Sequence, residues 1–212
     1  MPAPEYRGTP EGLTDGLAAV LRNREEPRPP AGYASMIDAL RALLDEITGS
    51  LPSAEVVTDA TRQFMELTRR FEKFAVDERT QVSGRLIEIP GRGQVMAPAI
   101  AIDEHTNVRA SGHISFGRFY LGGNGAVHGG AIPLAFDELM GRLANTGRAP
   151  SRTAYLHVNY RSITPIGKRL RIEAYFAAEE GRKRILRGVI RDGDTVCADA
   201  EGLFVALRPG QP

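Results

Sequence analysis

The chain reads as an α+β protein: a curved antiparallel sheet wrapped around one long central helix, with an N-terminal helical extension. Three observations predict this. Apolar periodicity is helical up to about residue 90 and strand-like beyond residue 92. One apolar segment, Ala131 to Ala144, opens on the pair Gly129-Gly130 and reads as a buried helix. The last third of the chain alternates apolar and polar residues between short turn signals, the pattern of consecutive hairpins. Consecutive hairpins make an antiparallel sheet, and a single apolar helix needs a concave face to bury itself.

The extension comes first. Leu13, Leu17, Val20 and Leu21 suggest a short helix, ended by the polar, proline-rich stretch Arg22 to Pro30. Met36, Ile37, Leu40, Leu43, Leu44 and Ile47 recur at steps of three and four, and Gly49 and Pro52 stop the run. Val57, Ala60, Phe64, Leu67, Phe71 and Phe74 predict a longer amphipathic helix. Residues 1–90 are therefore expected to form the extension, and 91–212 the sheet-and-helix domain.

In the second part, Gln94 to Ile102 and Gly112 to Leu121 are strand-like, with a polar turn at Asp103 to Asn107. After the buried helix, Arg152 to Arg161 alternates. Ala154, Leu156, Val158 and Tyr160 are expected on one face, and Thr153, Tyr155, His157 and Asn159 on the other. Thr164-Pro165-Ile166-Gly167 turns the chain. Leu170 to Ala178, Arg182 to Arg191 and Thr195 to Leu207 follow, joined at Glu179-Glu180-Gly181 and Asp192-Gly193-Asp194.

The richest stretch chemically is Asn124-Gly125-Ala126-Val127-His128-Gly129-Gly130, with Asp137 nine residues after the histidine. Glycines at a helix start leave backbone N–H groups approachable where the helix dipole is positive. On the helix, Glu138, Arg142 and Asn145 share the expected solvent stripe. Asp137 lies a quarter-turn away, among Gly130, Pro133, Met140, Gly141 and Ala144. Approachable amides and a sheltered carboxylate suit attack on a carbonyl: one holds the oxygen, the other handles a proton. Each feature also has an ordinary reading: an off-stripe helix acid, a tight strand-to-helix turn, a strand threonine at 153.

Composition narrows the classes. Lys and Arg number 27 against 26 Asp and Glu, which argues against a general binder of nucleic acid or acidic membranes. The lone Cys197 excludes an internal disulfide framework and fits a reducing cytosol. No run is long and apolar enough to span a membrane, and the first residues lack a signal pattern, so a cytoplasmic protein is expected. His113 and His157 read as strand residues. No His/Cys/Asp cluster has metal-site spacing, so neither metal nor cofactor is expected.

Four features together resemble the hotdog fold, and more narrowly the PaaI-like acyl-CoA thioesterases: Gly125 to Gly130, Asp137 at its spacing, Thr153 heading the alternating strand, and Asn159-Tyr160-Arg161 before Thr164-Pro165. The resemblance covers about residues 92–208. It implies hydrolysis of acyl-CoA to free acid and CoA, with CoA a part of the substrate rather than a cofactor. It assigns the Gly130 amide to polarising the thioester carbonyl, and Asp137 to the role of general base or nucleophile. Thr153, commonly from the opposite subunit, orients the water or the carboxylate, and His128 bonds near the carbonyl oxygen. Asn124, Val127 and Gly129 fall among the substrate-binding residues. Arg161, Lys168 and Arg182 are candidates for the CoA phosphates, although hairpin ends are also charged simply to stay solvated. Side chains around Phe136, Met140 and Tyr155 would set the acyl pocket, with a medium-to-long or aromatic group expected. A homodimer or tetramer with sites at the subunit interface is implied.

Two other functions fit the same fold. An enoyl-CoA hydratase or dehydratase needs a histidine placed for proton transfer beside the carbonyl, whereas here the acid sits on the helix and the histidine in its turn. A non-catalytic acyl-CoA-binding or scaffolding protein would have less use for both Asp137 and Thr153.

Overall fold

The computed structural model describes residues 29–211, and the helix expected around Leu13 to Leu21 lies outside them. Two helices come first, α1 (Tyr33–Thr48) and α2 (Ala54–Glu72). Strands β1 (Ile100–His105), β2 (Arg109–Ile114), β3 (Leu121–Gly123) and β4 (Ala126–Val127) lead into helix α3 (Ala131–Asn145). Strands β5 (Ser151–Tyr160), β6 (Leu170–Glu180), β7 (Lys183–Asp192) and β8 (Thr195–Ala206) complete the chain. Six of the strands form one antiparallel sheet in the order β1-β2-β6-β7-β8-β5, and β3-β4 is a separate hairpin.

α3 lies across this sheet. Its buried residues, among them Ala135, Phe136, Leu139, Met140 and Leu143, meet Ile172, Leu186, Ile190, Ala198 and Phe204 in one core. Close approach depends on glycines in the sheet. A Cβ on Gly188 would stand 2.8 Å from both the Glu173 carbonyl oxygen and Met140 Cε.

The expected strands shift where tertiary contacts overrule local pattern. The first begins at Ile100 rather than Gln94: residues 94–99 run as irregular bends, with the Gln94 and Ala97 carbonyls bonded to Arg41 of α1 instead of a neighbouring strand. It runs on through Asp103 to His105, since an edge strand with an exposed side tolerates polar residues. The second stops at Ile114. Beyond it, Arg118–Tyr120 turns into a 3-10 segment pinned by α1, whose Asp45 Oδ1 accepts the Phe119 amide at 2.8 Å. The β3-β4 hairpin was not anticipated. Asn124 (φ 49°) and Gly125 (φ 74°) are its two central residues, both left-handed, as a type I′ turn requires.

The stripe of α3 expected to face solvent is exposed at Arg142 and Asn145 and roofed at Glu138. Gly91, Arg92 and Gly93 all have positive φ, which swings Arg92 back over the helix to donate from Nε to Glu138 Oε2 at 2.8 Å. Arg142 reaches the Ile87 carbonyl at 3.2 Å, and Asn145 Oδ1 accepts from Ser151. Asp137 is left half-buried on the flank of the helix facing β5.

Candidate active site

The start of α3 is built around one peptide group. The amide of Gly130 donates to Nδ1 of His128 at 3.0 Å, and the carbonyl of Gly129 accepts the Tyr160 hydroxyl at 2.7 Å. The Gly129–Gly130 peptide is thus clamped at both ends. The next bond in the turn runs from the Ala131 amide to the His128 carbonyl at 2.9 Å. The Gly130 amide, which the resemblance assigns to the carbonyl, is engaged by its own neighbour, while the Gly129 amide has no acceptor among the described residues. The His128 carbonyl points into the helix, so the N–H of that same trans peptide points away from it, toward solvent. His128 Nδ1 is the acceptor, so the neutral ring carries its proton on the exposed Nε2.

The carboxylate stands further along. Thr153 Oγ1 donates to Asp137 Oδ1 at 2.7 Å, leaving Oδ2 without a partner among the described residues. Strict alternation would have put Thr153 on the outer face of the sheet. A bulge corrects this: β5 slips one residue against β8 between Thr153 and Tyr155, so that Thr153 pairs with core-facing Phe204 and Leu156 with Gly202. Thr153, Leu156, Val158 and Tyr160 consequently share the face that meets α3, and Tyr155, His157 and Asn159 the opposite one. One strand therefore presents both Thr153 to the carboxylate and Tyr160 to the helix start.

No protein-family model matches the chain. Among solved structures, a crystal structure described as a thioesterase superfamily protein matches with a TM-score of 0.72 at 24% identity, over 84% of this chain and 96% of that one. The chain has the hotdog fold. That match covers more than residues 92–212 contain, so it reaches into the N-terminal helices. Two other structures are similar over about half of the chain. A Streptococcus mutans protein bound to acetyl CoA has 15% identity over 51% of this chain and 88% of that one, at a TM-score of 0.49. A hypothetical thioesterase protein with coenzyme A from Streptococcus pneumoniae has 14% identity over 50% and 86%, at 0.48.

Within the hotdog domain the remaining residues of interest separate. Asn124 occupies the tip of the β3-β4 hairpin. Val127 is buried in the core, its amide bonded to the Thr164 carbonyl at 2.8 Å. Arg161 is held by Asp199, which keeps the guanidinium pKa above its ordinary value, and Lys168 Nζ lies 2.8 Å from Asp192. Arg182 alone of the three has no carboxylate within ion-pair distance among the described residues. It sits at the β6-β7 turn, one residue before the row that joins Lys183 to Val205. The expected acyl pocket residues do not converge. Phe136 and Met140 are fully buried against the sheet, while Tyr155 is on its outer face, donating to Glu201 at 3.1 Å and stacking on His157.

Thr153, whose counterpart in the family commonly comes from the opposite subunit, bonds Asp137 within the chain here. Tyr160 was missed as a site residue. Its one signal was its place in the Asn159-Tyr160-Arg161 motif, because nothing in the sequence tells which way the ring of a strand-end tyrosine turns.

Proposed function

We propose that the chain is an acyl-CoA thioesterase of PaaI-like type, hydrolysing acyl-CoA to free acid and CoA. The observation that carries this reading is the Asp137 carboxylate, fixed at one oxygen by Thr153 and open at the other, on the same helix whose start presents an unpaired amide. The thioester carbonyl oxygen accepts from the Gly129 N–H and from His128 Nε2–H. Charge developing on that oxygen is stabilised by donors already in place, one such donor being worth roughly 3 kcal/mol. Asp137 Oδ2 then takes a proton from water as it attacks, or attacks the carbonyl carbon itself. In both routes the carbon–sulfur bond breaks and CoA leaves as thiolate, a good leaving group, so modest activation suffices; after direct attack, water then cleaves the acyl–Asp137 anhydride to release the acid.

The site is open in a single chain: His128, Gly129 and Thr153 are all exposed. β5, which carries both Thr153 and Tyr160, is an edge strand with one side of its backbone unpaired. Pairing of two β5 strands would wall the site from water and make the homodimer the working unit, with a tetramer as its further assembly. Arg182 is the residue best placed to meet a CoA phosphate, being uncommitted to a carboxylate. The buried thiol of Cys197 suits a cytoplasmic setting.

The test is product identity across a panel of acyl-CoA and enoyl-CoA thioesters. Free thiol release supports hydrolysis. Tight binding without turnover on any member would make the protein an acyl-CoA binder instead, and loss of enoyl absorbance with no thiol released would make it a hydratase.

A further inference from the structure

Helix α1 lies far ahead of the site residues in the chain, yet it grips the two segments that frame them. On one side the Tyr33 hydroxyl donates to the Gly93 carbonyl and Arg41 to the Ala97 carbonyl, both at 3.1 Å. That stretch carries Arg92, whose guanidinium covers Glu138 beside Asp137. On the other side Asp45 Oδ1 accepts the Phe119 amide at 2.8 Å. Gly117 makes room for this contact, since a Cβ there would overlap both oxygens of the Asp45 carboxylate. The Tyr120 carbonyl in turn accepts the His128 amide at 2.7 Å, and a Cβ on Gly122 would stand 2.8 Å from His128 Cα. Asp45 is thus joined through Phe119 and Tyr120 to His128, whose ring holds the Gly130 amide.

We propose that Asp45 is a positioning residue for the thioester site, a role that rests on the thioesterase reading above. Through Phe119 and Tyr120 it sets the backbone of His128, and with it the direction of the Gly129 N–H. Between the end of β2 at Ile114 and the start of β3 at Leu121, no strand pairing fixes the chain. Its course there is set by contacts from outside the sheet. Among them is the Asp45 carboxylate, which holds an amide more strongly than a neutral acceptor does. The links at Phe119 and His128 both run to backbone groups, so a shift of the turn passes to His128 without a side-chain rotamer to absorb it. Oxyanion donors act only where they are already aimed, and a small displacement of this turn costs rate rather than binding.

Thiol release by the full chain, read as separate kcat and KM, tests this together with hydrogen exchange at the His128 amide. Asp45→Ala removes the acceptor. Gly117→Ala keeps the carboxylate but pushes it aside, at a φ of −72° that alanine adopts freely. Asp45→Asn keeps an acceptor oxygen. The expected result is a kcat lowered about three- to tenfold in Asp45→Ala and in Gly117→Ala, with KM within about twofold of the wild type. Asp45→Asn retains most of the turnover, and combining Asp45→Ala with Gly117→Ala lowers kcat no further than either change alone. Exchange at His128 should rise about tenfold or more in both single variants, while that of Leu186 in the central strand β7 is unchanged. The proposal is overturned by wild-type kcat in Asp45→Ala, by unchanged exchange at His128, or by a KM rise at constant kcat. A wild type that releases no thiol would sink the thioesterase reading instead, and the exchange comparison alone then decides whether Asp45 holds His128.

Discussion

Thr153 Oγ1 donates to Asp137 Oδ1 at 2.7 Å only because β5 takes a one-residue slip beside Ala154. Without that bulge the hydroxyl would stand on the far side of the sheet. A hydrogen bond to a charged group is worth about 1.5–3 kcal/mol. Thr153→Val is therefore expected to lower kcat/KM by about 10- to 100-fold, and Thr153→Ser to retain most of it. Steady-state thiol release from purified variants checks both. Because Thr153 is exposed, the melting temperature of either should stay close to that of the wild type.

Tyr160 acts one step further from the chemistry. It holds the carbonyl of the peptide whose N–H is already bonded to His128, and so fixes the direction in which the neighbouring Gly129 amide points. Tyr160→Phe removes one hydrogen bond, worth about 1 kcal/mol, and is expected to reduce kcat several-fold with KM little changed. A KM rise at constant kcat would instead mark Tyr160 as a substrate contact.

Arg182 should matter to the nucleotide end of the substrate and not to the acyl end. Arg182→Ala is expected to raise KM about tenfold for acyl-CoA, a change of about 1.4 kcal/mol, and to leave turnover of the same acyl group on pantetheine unaltered. Arg161→Ala should not act in this way, since Asp199 already occupies its guanidinium.

The Arg161–Asp199 pair makes a pH prediction of its own. The Arg161 hydrogen bond is the main cause holding the Asp199 pKa below its ordinary 3.8, with Asn159 adding to it. A depressed carboxylate stabilises the fold above its unfolded pKa, and that stability is lost as pH falls through the lower folded value. The contribution of this pair to urea stability should therefore be constant down to about pH 4 and fall below it. In Arg161→Met the fall below pH 4 should be shallower, from a lower plateau.

In the core, Gly188→Ala would force a methyl to within 2.8 Å of the Glu173 carbonyl and Met140. The sheet and α3 cannot both keep their places. A loss of about 1–3 kcal/mol is expected from denaturant unfolding.

Much of this architecture is legible in the residues. The apolar run from Ala131 and the hairpin turns at Gly181 and Gly193 mark α3 and β6 to β8 within a few positions, because burial sets those periods directly. The place of Asp137 on a flank of the helix follows from 100° per residue. What escapes is every feature decided by a distant partner. The bulge that turns Thr153 inward depends on pairing with β8, and the roof over Glu138 on three left-handed residues at 91–93. The engagement of the Gly130 amide depends on the rotamer of His128. Asn124, which the resemblance places among the substrate-binding residues, forms with Gly125 the centre of a tight hairpin turn.

The most direct measurement is thiol release from acyl-CoA by wild type and Asp137→Asn, purified side by side and matched in oligomeric mass and circular dichroism. The structure-based account predicts turnover by the wild type and a loss of at least a hundredfold in the variant, which keeps the Thr153 contact but cannot accept a proton from water. Equal turnover by the two proteins would contradict it, and would remove Asp137 from the chemistry.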